Sequence, residues 1–323
     1  MNQKRVLISY PLELDGLHEL VEKFDVRILD RPVTAKAELR EAIRGCHGIL
    51  AAGVDMDEEI MDAAPELEII SAYGAGYDNI DVRAATNRGI VVTNVPDAVT
   101  DATAEIALGL MLSVMRRIPE LDRSLRMEDR SQWGMMINMG RVLYGKELGI
   151  IGMGRIGKAV AKRAAAFGMR ISYYTRKRLD PVIEMELGIT YKRMDDLIRT
   201  ADVISIHTPL TEQTRHLIGR RELYMMKPEA YLINTSRGAV IDEPALVECL
   251  TQGRLAGAGL DVFENEPFIP PELLEMSNVA VTPHIGSKAV EARLAMARES
   301  AQNIIDFFSG RRPFHVVNPE VFQ

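Results

Sequence analysis

Residues 147–157 read Glu147-Leu148-Gly149-Ile150-Ile151-Gly152-Met153-Gly154-Arg155-Ile156-Gly157. An alanine-rich stretch follows, and then Ile171-Ser172-Tyr173-Tyr174-Thr175-Arg176-Lys177-Arg178. The apolar run Leu148–Ile151 suits a buried parallel strand. Gly152, Gly154 and Gly157 then open a helix with G-x-G-x-x-G spacing. Gly152 permits the tight turn, Gly154 lets backbone approach a pyrophosphate, and Gly157 lets helix pack on strand. The exposed N–H groups and the dipole at the start of such a helix favour phosphate. Glycine-rich turns are common, so the spacing alone says little; its strand–turn–helix–strand setting is what points to a dinucleotide. An NAD site usually adds an acidic residue about 20 residues on, for the ribose 2′-hydroxyl. Here that place is Thr175, followed by Arg176, Lys177 and Arg178. A carboxylate would repel a 2′-phosphate, whereas cations would bind it. The expected cofactor is NADP(H), with NAD(H) a possible substitute. The bland alternative for the basic run is a solvated surface loop.

Outward from this unit the chain alternates short apolar strands with amphipathic helices. Candidate strands before it are Arg5–Ser9, Gly48–Ala51, Leu67–Ala72 and Ile90–Thr93. In it and after it come Leu148–Ile151, Arg170–Tyr174, Asp202–Ile206, Ala230–Asn234, Gly257–Leu260 and Val279–Val281. Such alternation predicts an α/β protein with parallel sheets covered by helices on both faces. The glycine fingerprint lies mid-chain, so the first hundred or so residues are expected to form a separate α/β unit. Between the two runs a long helical segment, Thr100 to Met127, is predicted, apolar nearly all round from Ile106 to Met115. That pattern calls for burial on several sides, at a domain or subunit interface. Pro119 is expected to kink it or to end one helix there.

A chain of 323 residues with 47% apolar content is long enough for about two domains with a large core. The net charge of −7 argues against general affinity for nucleic acid. Two cysteines, Cys46 and Cys249, provide no disulfide framework, and neither has metal ligands nearby, so no metal is expected. The start of the chain does not read as a secretory signal, and no apolar run reaches transmembrane length, so no membrane partner is expected and the cytoplasm is the expected location.

Three later motifs carry chemistry. Asn234-Thr235-Ser236-Arg237-Gly238 follows a strand directly, and catalytic groups of doubly wound sheets lie at such carboxyl ends. Arg237 is placed to grip a carboxylate bidentately and polarise an adjacent carbonyl, although an isolated arginine there is more often an ion-pair partner. Asp261-Val262-Phe263-Glu264-Asn265-Glu266-Pro267 taken alone reads as a solvated acidic loop. Thr282-Pro283-His284-Ile285-Gly286 again follows a strand end, where a lone histidine is commonly structural. An Arg, a Glu and a His, each beyond its own strand in a nucleotide-binding domain, form a more specific set.

Together with Tyr73-Gly74-Ala75-Gly76-Tyr77-Asp78-Asn79-Ile80-Asp81, Asn94-Val95-Pro96-Asp97 and His207-Thr208-Pro209-Leu210-Thr211, these motifs resemble the D-isomer-specific 2-hydroxyacid dehydrogenase family along essentially the whole chain. The resemblance implies two Rossmann-like, doubly wound parallel-sheet domains around a cleft. A substrate domain would comprise residues 1–99 and 287–323, with a dinucleotide-binding domain, 100–286, inserted. It also implies a homodimer joined through the nucleotide domains, with the Thr100–Met127 segment contributing. Arg237 becomes the carboxylate and carbonyl clamp, His284 the general acid in reduction, and Glu266 its partner. Hydride transfer to a 2-oxo acid leaves an alkoxide that must be protonated, and a nearby carboxylate favours the imidazolium that does so. The Ala75 and Gly76 amides would hold the substrate carboxylate, with a tight glycine turn as the plain structural reading. The cofactor would lie against Gly152, Gly154, Arg155, Ile156 and Gly157, with Thr175, Arg176 and Lys177 at its ribose. Thr208 and Pro209 would flank its adenine side, with His207 as a wall residue. Thr103 and Asp261 would sit by the nicotinamide, with Thr235, Ser236 and Gly286 nearby.

The resemblance extends to substrate. Relatives acting on 3-phosphoglycerate commonly have arginine where this chain has Ala72, and formate dehydrogenases of the family carry glutamine in place of Glu266. The Tyr173–Arg178 stretch is similar to that of NADPH-using glyoxylate/hydroxypyruvate reductases. The expected reaction is therefore reduction of a small 2-oxo acid, glyoxylate or hydroxypyruvate first, to the D-2-hydroxy acid. A larger acid such as 2-ketogluconate, or a branched or aromatic one, is the alternative. The methionine-rich stretch Trp133–Met139 would either line such a pocket, since thioethers adapt to varied shapes, or serve as packing or linker. A third reading, from a different class, is a dinucleotide-sensing corepressor-like binding module, because fold does not settle function.

Overall fold

The computed structural model describes residues 3–12, 15–33, 35–127 and 133–323. The chain divides into two compact units, Met1–Val99 with Lys288–Gln323, and Thr100–Ser287.

The first unit holds a parallel sheet of β1 (Arg5–Ile8), β2 (Asp25–Ile28), β3 (Gly48–Ala51), β4 (Ile69–Ala72) and β5 (Val91–Thr93), in the order β2-β1-β3-β4-β5. Side chains alternate between its faces: Leu7 packs with Ile49 and Ile70 on one, Val6 and Ile8 with Leu50 and Ile69 on the other. The long helix Val290–Phe308 brings Ala297, Ala301, Ile304 and Ile305 to the second face. Beyond it, the buried Asn318 amide accepts from Val92 N at 2.8 Å and donates to Ile90 O at 2.9 Å, tying the chain's end to β5.

The second unit holds a seven-stranded parallel sheet. Its strands are β6 (Glu147–Ile151), β7 (Arg170–Tyr174), β8 (Ile189–Tyr191), β9 (Val203–Ile206), β10 (Tyr231–Asn234), β11 (Gly257–Leu260) and β12 (Val279–Val281). Their order is β12-β11-β10-β9-β6-β7-β8. Strand order reverses between β6 and β9, the point at which doubly wound sheets open a crevice at their carboxyl ends. Ile150 and Ile151 face opposite cores, as do Ile233 and Leu232, which explains why these strands read as unbroken apolar runs.

Two strands escape the sequence reading, β2 (Asp-Val-Arg-Ile) and β8 (Ile-Thr-Tyr). Both are sheet edges and both are partly exposed, so they need no apolar run. The predicted Thr100–Met127 segment is two helices. Thr100–Met115 buries Ala104, Ala107, Leu110 and Met111. Arg117 then adopts φ 57°, and a second helix, Ile118–Arg126, begins with Pro119 in its first turn. Pro119 therefore starts a helix instead of ending one, since its missing N–H costs nothing there. None of the residues of Ile118–Arg126 is buried. Trp133, Met135 and Tyr144 are 79%, 98% and 78% exposed, so the methionine-rich stretch is not core packing within this chain. No helix among the described residues is long and apolar enough to cross a membrane.

Candidate active site

The dinucleotide fingerprint forms the turn after β6. Gly152 has φ 96°, and a Cβ there would lie 2.5 Å from the His207 carbonyl oxygen, so both its conformation and its surroundings require glycine. The helix Arg155–Ala166 follows, with Gly154 as its N-cap, no side-chain cap and no acidic residue in its first turn. Gly154 and Arg155 are exposed, Ile156 is half-buried, and a Cβ on Gly154 would meet nothing within 4 Å. The first amides of this helix are therefore presented to solvent beside the strand-order reversal, as a pyrophosphate site needs.

Across that reversal, His207 follows β9 and its N–H donates to the Ile151 carbonyl at 2.7 Å. Its Nε2 lies 2.8 Å from Ser205 Oγ, and burial pushes its pKa down to about 4. A histidine so depressed is neutral at physiological pH, which favours a wall residue over a second acid. Among the described residues its Nδ1 is buried without a partner, as are Thr208 Oγ1 and Thr235 Oγ1. Buried polar atoms normally find partners. Three without one, at the ends of adjacent strands β9 and β10, together with an uncapped helix start, fit a polar ligand such as a dinucleotide. Pro209 is exposed, and its carbonyl accepts from Thr214 Oγ1 at 2.6 Å.

The basic run after β7 divides by role. Arg178 grips Glu184 at 2.8 and 2.7 Å and lies 5.6 Å from the Tyr191 ring centre. The Arg178 and Tyr173 hydrogen bonds hold the Glu184 carboxyl down at about 2. Arg178 is thus engaged within the fold. Thr175 Oγ1 donates to the Lys177 carbonyl at 2.7 Å, shaping the turn, while the Arg176 and Lys177 side chains are exposed.

The loops after β10, β11 and β12 bring Arg237, Glu266 and His284 together. Asn234, fully buried, accepts from Ser236 N and Oγ at 3.0 and 2.8 Å and donates to the Arg237 carbonyl at 2.9 Å. Arg237 Nη1 donates to the Ser236 carbonyl at 2.8 Å. Gly238 lies so close to the Phe263 carbonyl and Glu264 N that any Cβ would overlap them, which locks the Arg237 turn onto the Glu266 loop. The Asp261 carboxylate, only 1% exposed, accepts from Thr282 Oγ1, Ile285 N and Gly286 N at 2.6, 2.7 and 2.8 Å. It thereby shapes the turn that carries His284, which has φ 50°. A Cβ on Gly286 would lie 3.1 Å from Asp261 Oδ2 and 3.3 Å from Thr103 Cγ2, which places Thr103 against the same turn.

His284 Nδ1 meets Glu266 Oε2 at 2.8 Å, and Glu266 Oε1 accepts from Phe263 N at 3.1 Å. Burial opposes ionisation of Glu266, but the hydrogen bond and charge of His284, the Phe263 N–H and the Arg237 charge outweigh it, and its pKa lies below the ordinary carboxylate range. Being ionised, the carboxylate can only accept, so Nδ1 carries its hydrogen and Nε2 is left for chemistry.

Ala75 and Gly76 belong to the other unit. There the Ala75 carbonyl accepts from Asn94 Nδ2 at 2.7 Å and the Gly74 carbonyl from Val95 N at 2.9 Å, so this turn is fixed through its carbonyls. Cys46 and Cys249 are buried and free, and among the described residues no cluster of His, Cys, Asp or Glu could hold a metal.

Sequence reasoning missed Asn234, Gly238 and Glu243 as supports of this site. The signal for Gly238 was its place directly after Arg237. Glu243 acts across 21 residues of sequence, and nothing local marks it.

The chain has relatives among known proteins along nearly its whole length. Residues 108–286 match the family described as D-isomer specific 2-hydroxyacid dehydrogenase, NAD binding domain. A glyoxylate reductase of Thermococcus litoralis is 45% identical, over 98% of this chain and 97% of its own length. Among solved structures, an NADPH-dependent glyoxylate/hydroxypyruvate reductase from Sinorhizobium meliloti, in complex with NADP and malonate, is 36% identical. It superposes with a TM-score of 0.87 over 98% of this chain and 97% of that one. The apo D-mandelate dehydrogenase of Rhodotorula graminis is 30% identical, with a TM-score of 0.88 over 98% of both chains.

Proposed function

Because the chain belongs to the D-isomer specific 2-hydroxyacid dehydrogenase family, we propose that it reduces a small 2-oxo acid, glyoxylate or hydroxypyruvate first, to the D-2-hydroxy acid. The observation that carries this reading is the 2.8 Å contact between His284 and an ionised Glu266, beside Arg237 at the carboxyl end of the sheet. When bound, the nicotinamide cofactor supplies the hydride. Arg237 grips the substrate carboxylate and polarises the carbonyl that accepts it. His284 delivers the proton from Nε2, while Glu266 orients the ring through Nδ1 and favours imidazolium before transfer. Ala75 and Gly76 are assigned to the substrate carboxylate from the resemblance of their segment.

NADPH is the proposed cofactor, supported by the exposed Arg176 and Lys177 and by the absence of an acid at position 175. NADH is the weaker donor in this reading. The turn after β6, His207, Thr208, Thr235 and Ser236 would hold the cofactor, and Thr103, Asp261 and Gly286 would line its nicotinamide end. A homodimer is proposed because Trp133, Met135 and Tyr144 are 79%, 98% and 78% exposed in a single chain.

Initial rates with NADPH and NADH across glyoxylate, hydroxypyruvate, 2-ketogluconate and branched and aromatic 2-oxo acids test this function. Highest kcat/KM for NADPH with glyoxylate or hydroxypyruvate is expected. Dinucleotide binding without turnover of any acid would overturn it in favour of a sensing module.

A further inference from the structure

Two consecutive backbone N–H groups in the loop after β11 end on different carboxylates. Phe263 N donates to Glu266 Oε1, and Glu264 N donates to Glu243 Oε2, each at 3.1 Å. Glu243 is the first residue of the helix Glu243–Thr251 and is 7% exposed. The bond to Glu264 N is its only side-chain hydrogen bond among the described residues. Burying a carboxylate for a single N–H is costly. Its place in the first helical turn offsets part of that cost through the dipole. Burial still drives the Glu243 carboxyl above its ordinary range, against the Glu264 N–H and with the nearby Glu264 charge.

The same short loop is fixed at two further points. The Glu264 carboxylate receives Arg215 Nη2 at 2.8 Å and meets His216 Nε2 at 2.9 Å. Gly238 closes against the Phe263 carbonyl. The charged groups around the His284 pair are Glu266, Arg237, Asp261, Glu243, and Glu264 with Arg215 and His216. Asp261 is committed to Thr282 Oγ1, Ile285 N and Gly286 N of the His284 turn, whereas Glu243 has the Glu264 N–H alone and, among the described residues, neither takes part in the proposed chemistry nor pairs with a cation.

We propose that Glu243 is a positioning residue for the Glu266–His284 pair, acting through the Glu264 N–H to hold the turn from which Glu266 reaches His284. This rests on His284 being the general acid. It also explains why a hydrogen-bond acceptor is kept inside the fold where an apolar residue would cost less.

The test separates acceptor from charge. Glu243→Gln keeps an acceptor of the same reach and loses the charge; Glu243→Asp keeps the charge and withdraws the acceptor by one methylene. The titration of the His284 imidazole is followed by NMR in the whole protein for the natural sequence, both variants, Glu266→Gln and the Glu243→Asp/Glu266→Gln double variant. The midpoint is expected to fall in Glu243→Asp toward that of Glu266→Gln, to stay near the natural value in Glu243→Gln, and to fall no further in the double variant. Glyoxylate reduction near neutral pH should drop about tenfold or more in Glu243→Asp, inside the roughly 10²-fold that a 1 Å misplacement can cost. Glu243→Ala, which loses acceptor and charge together, should match Glu243→Asp and serves if the latter does not fold. An unmoved midpoint in Glu243→Asp, an equal fall in Glu243→Gln, or a further equal fall in the double variant would each overturn the proposal. Absence of 2-oxo acid reduction by the natural protein would instead overturn the proposed function, while the NMR titration still decides the role of Glu243.

Discussion

Two stretches along the carboxyl end of the seven-stranded sheet are finished to different degrees. Beyond β10, β11 and β12, polar groups of the Arg237, Asp261 and His284 loops are bonded to one another: Asn234 makes three bonds to Ser236 and Arg237, and Asp261 three to Thr282, Ile285 and Gly286. Where strand order reverses, His207 Nδ1 and Thr208 Oγ1 are buried without partners among the described residues, as is Thr235 Oγ1 beyond the adjacent β10, and the helix Arg155–Ala166 has no side-chain cap. The first stretch is preorganised, as the proposed proton transfer and carbonyl polarisation need. The second has polar atoms to spare, as the proposed cofactor site needs. The two histidines show the same division. His284 is half-exposed and bonded to a carboxylate, whereas His207 is bonded to a serine and pushed down to about 4 by burial.

Breaking the preorganised stretch should cost most. His284→Ala should lower kcat/KM for reduction by about 10²–10⁴-fold, the usual worth of positioned acid catalysis. Cofactor affinity, measured by fluorescence titration, should change little. Arg237→Lys keeps the charge and loses the planar fork, so it should cost roughly 10²-fold in kcat/KM, again with cofactor affinity nearly intact. If NADPH affinity collapses in that variant while catalysis survives, Arg237 belongs to the ligand-completed stretch and the division drawn here is misplaced.

Changes on the ligand-completed side should be smaller and selective. Arg176→Ala should weaken NADPH use by about 1.5–3 kcal/mol, the range for a hydrogen bond to a charged group, and leave NADH nearly unchanged. Equal kcat/KM for both cofactors in the natural protein would remove the basis for that choice. Arg178→Ala is the instructive contrast. Arg178 is already spent on Glu184, so its loss should disturb local stability more than cofactor choice.

These two stretches were not equally legible in the sequence. Arg237, Glu266 and His284 could be found because each follows the carboxyl end of an apolar strand, and the fingerprint glycines because their spacing is local. What went unread depends on approach in space. Gly238 is required by the Phe263 backbone, and Glu243 reaches Glu264 from another helix. Arg178 looked like its neighbours Arg176 and Lys177, although only the fold brings it to Glu184. The edge strands β2 and β8 were missed because half-exposed strands alternate polar with apolar residues, whereas the central strands hold buried apolar runs with polar residues mostly at their ends. Pro119 was misread for a related reason: a proline's effect depends on whether a helix starts or continues there, and that was decided by the turn at Arg117.

The central claim is that His284 gives up a proton whose retention depends on Glu266. The direct measurement is kcat/KM for glyoxylate reduction against pH, with NADPH saturating, in the natural protein and in Glu266→Gln. Glu266 is held below the ordinary carboxylate range, so it is charged at neutral pH. Reduction requires imidazolium and should fall as pH rises. Removing the carboxylate charge disfavours imidazolium, so the alkaline limb in Glu266→Gln should move to lower pH while part of the low-pH rate is kept. A limb that stays where it is in Glu266→Gln would contradict the account.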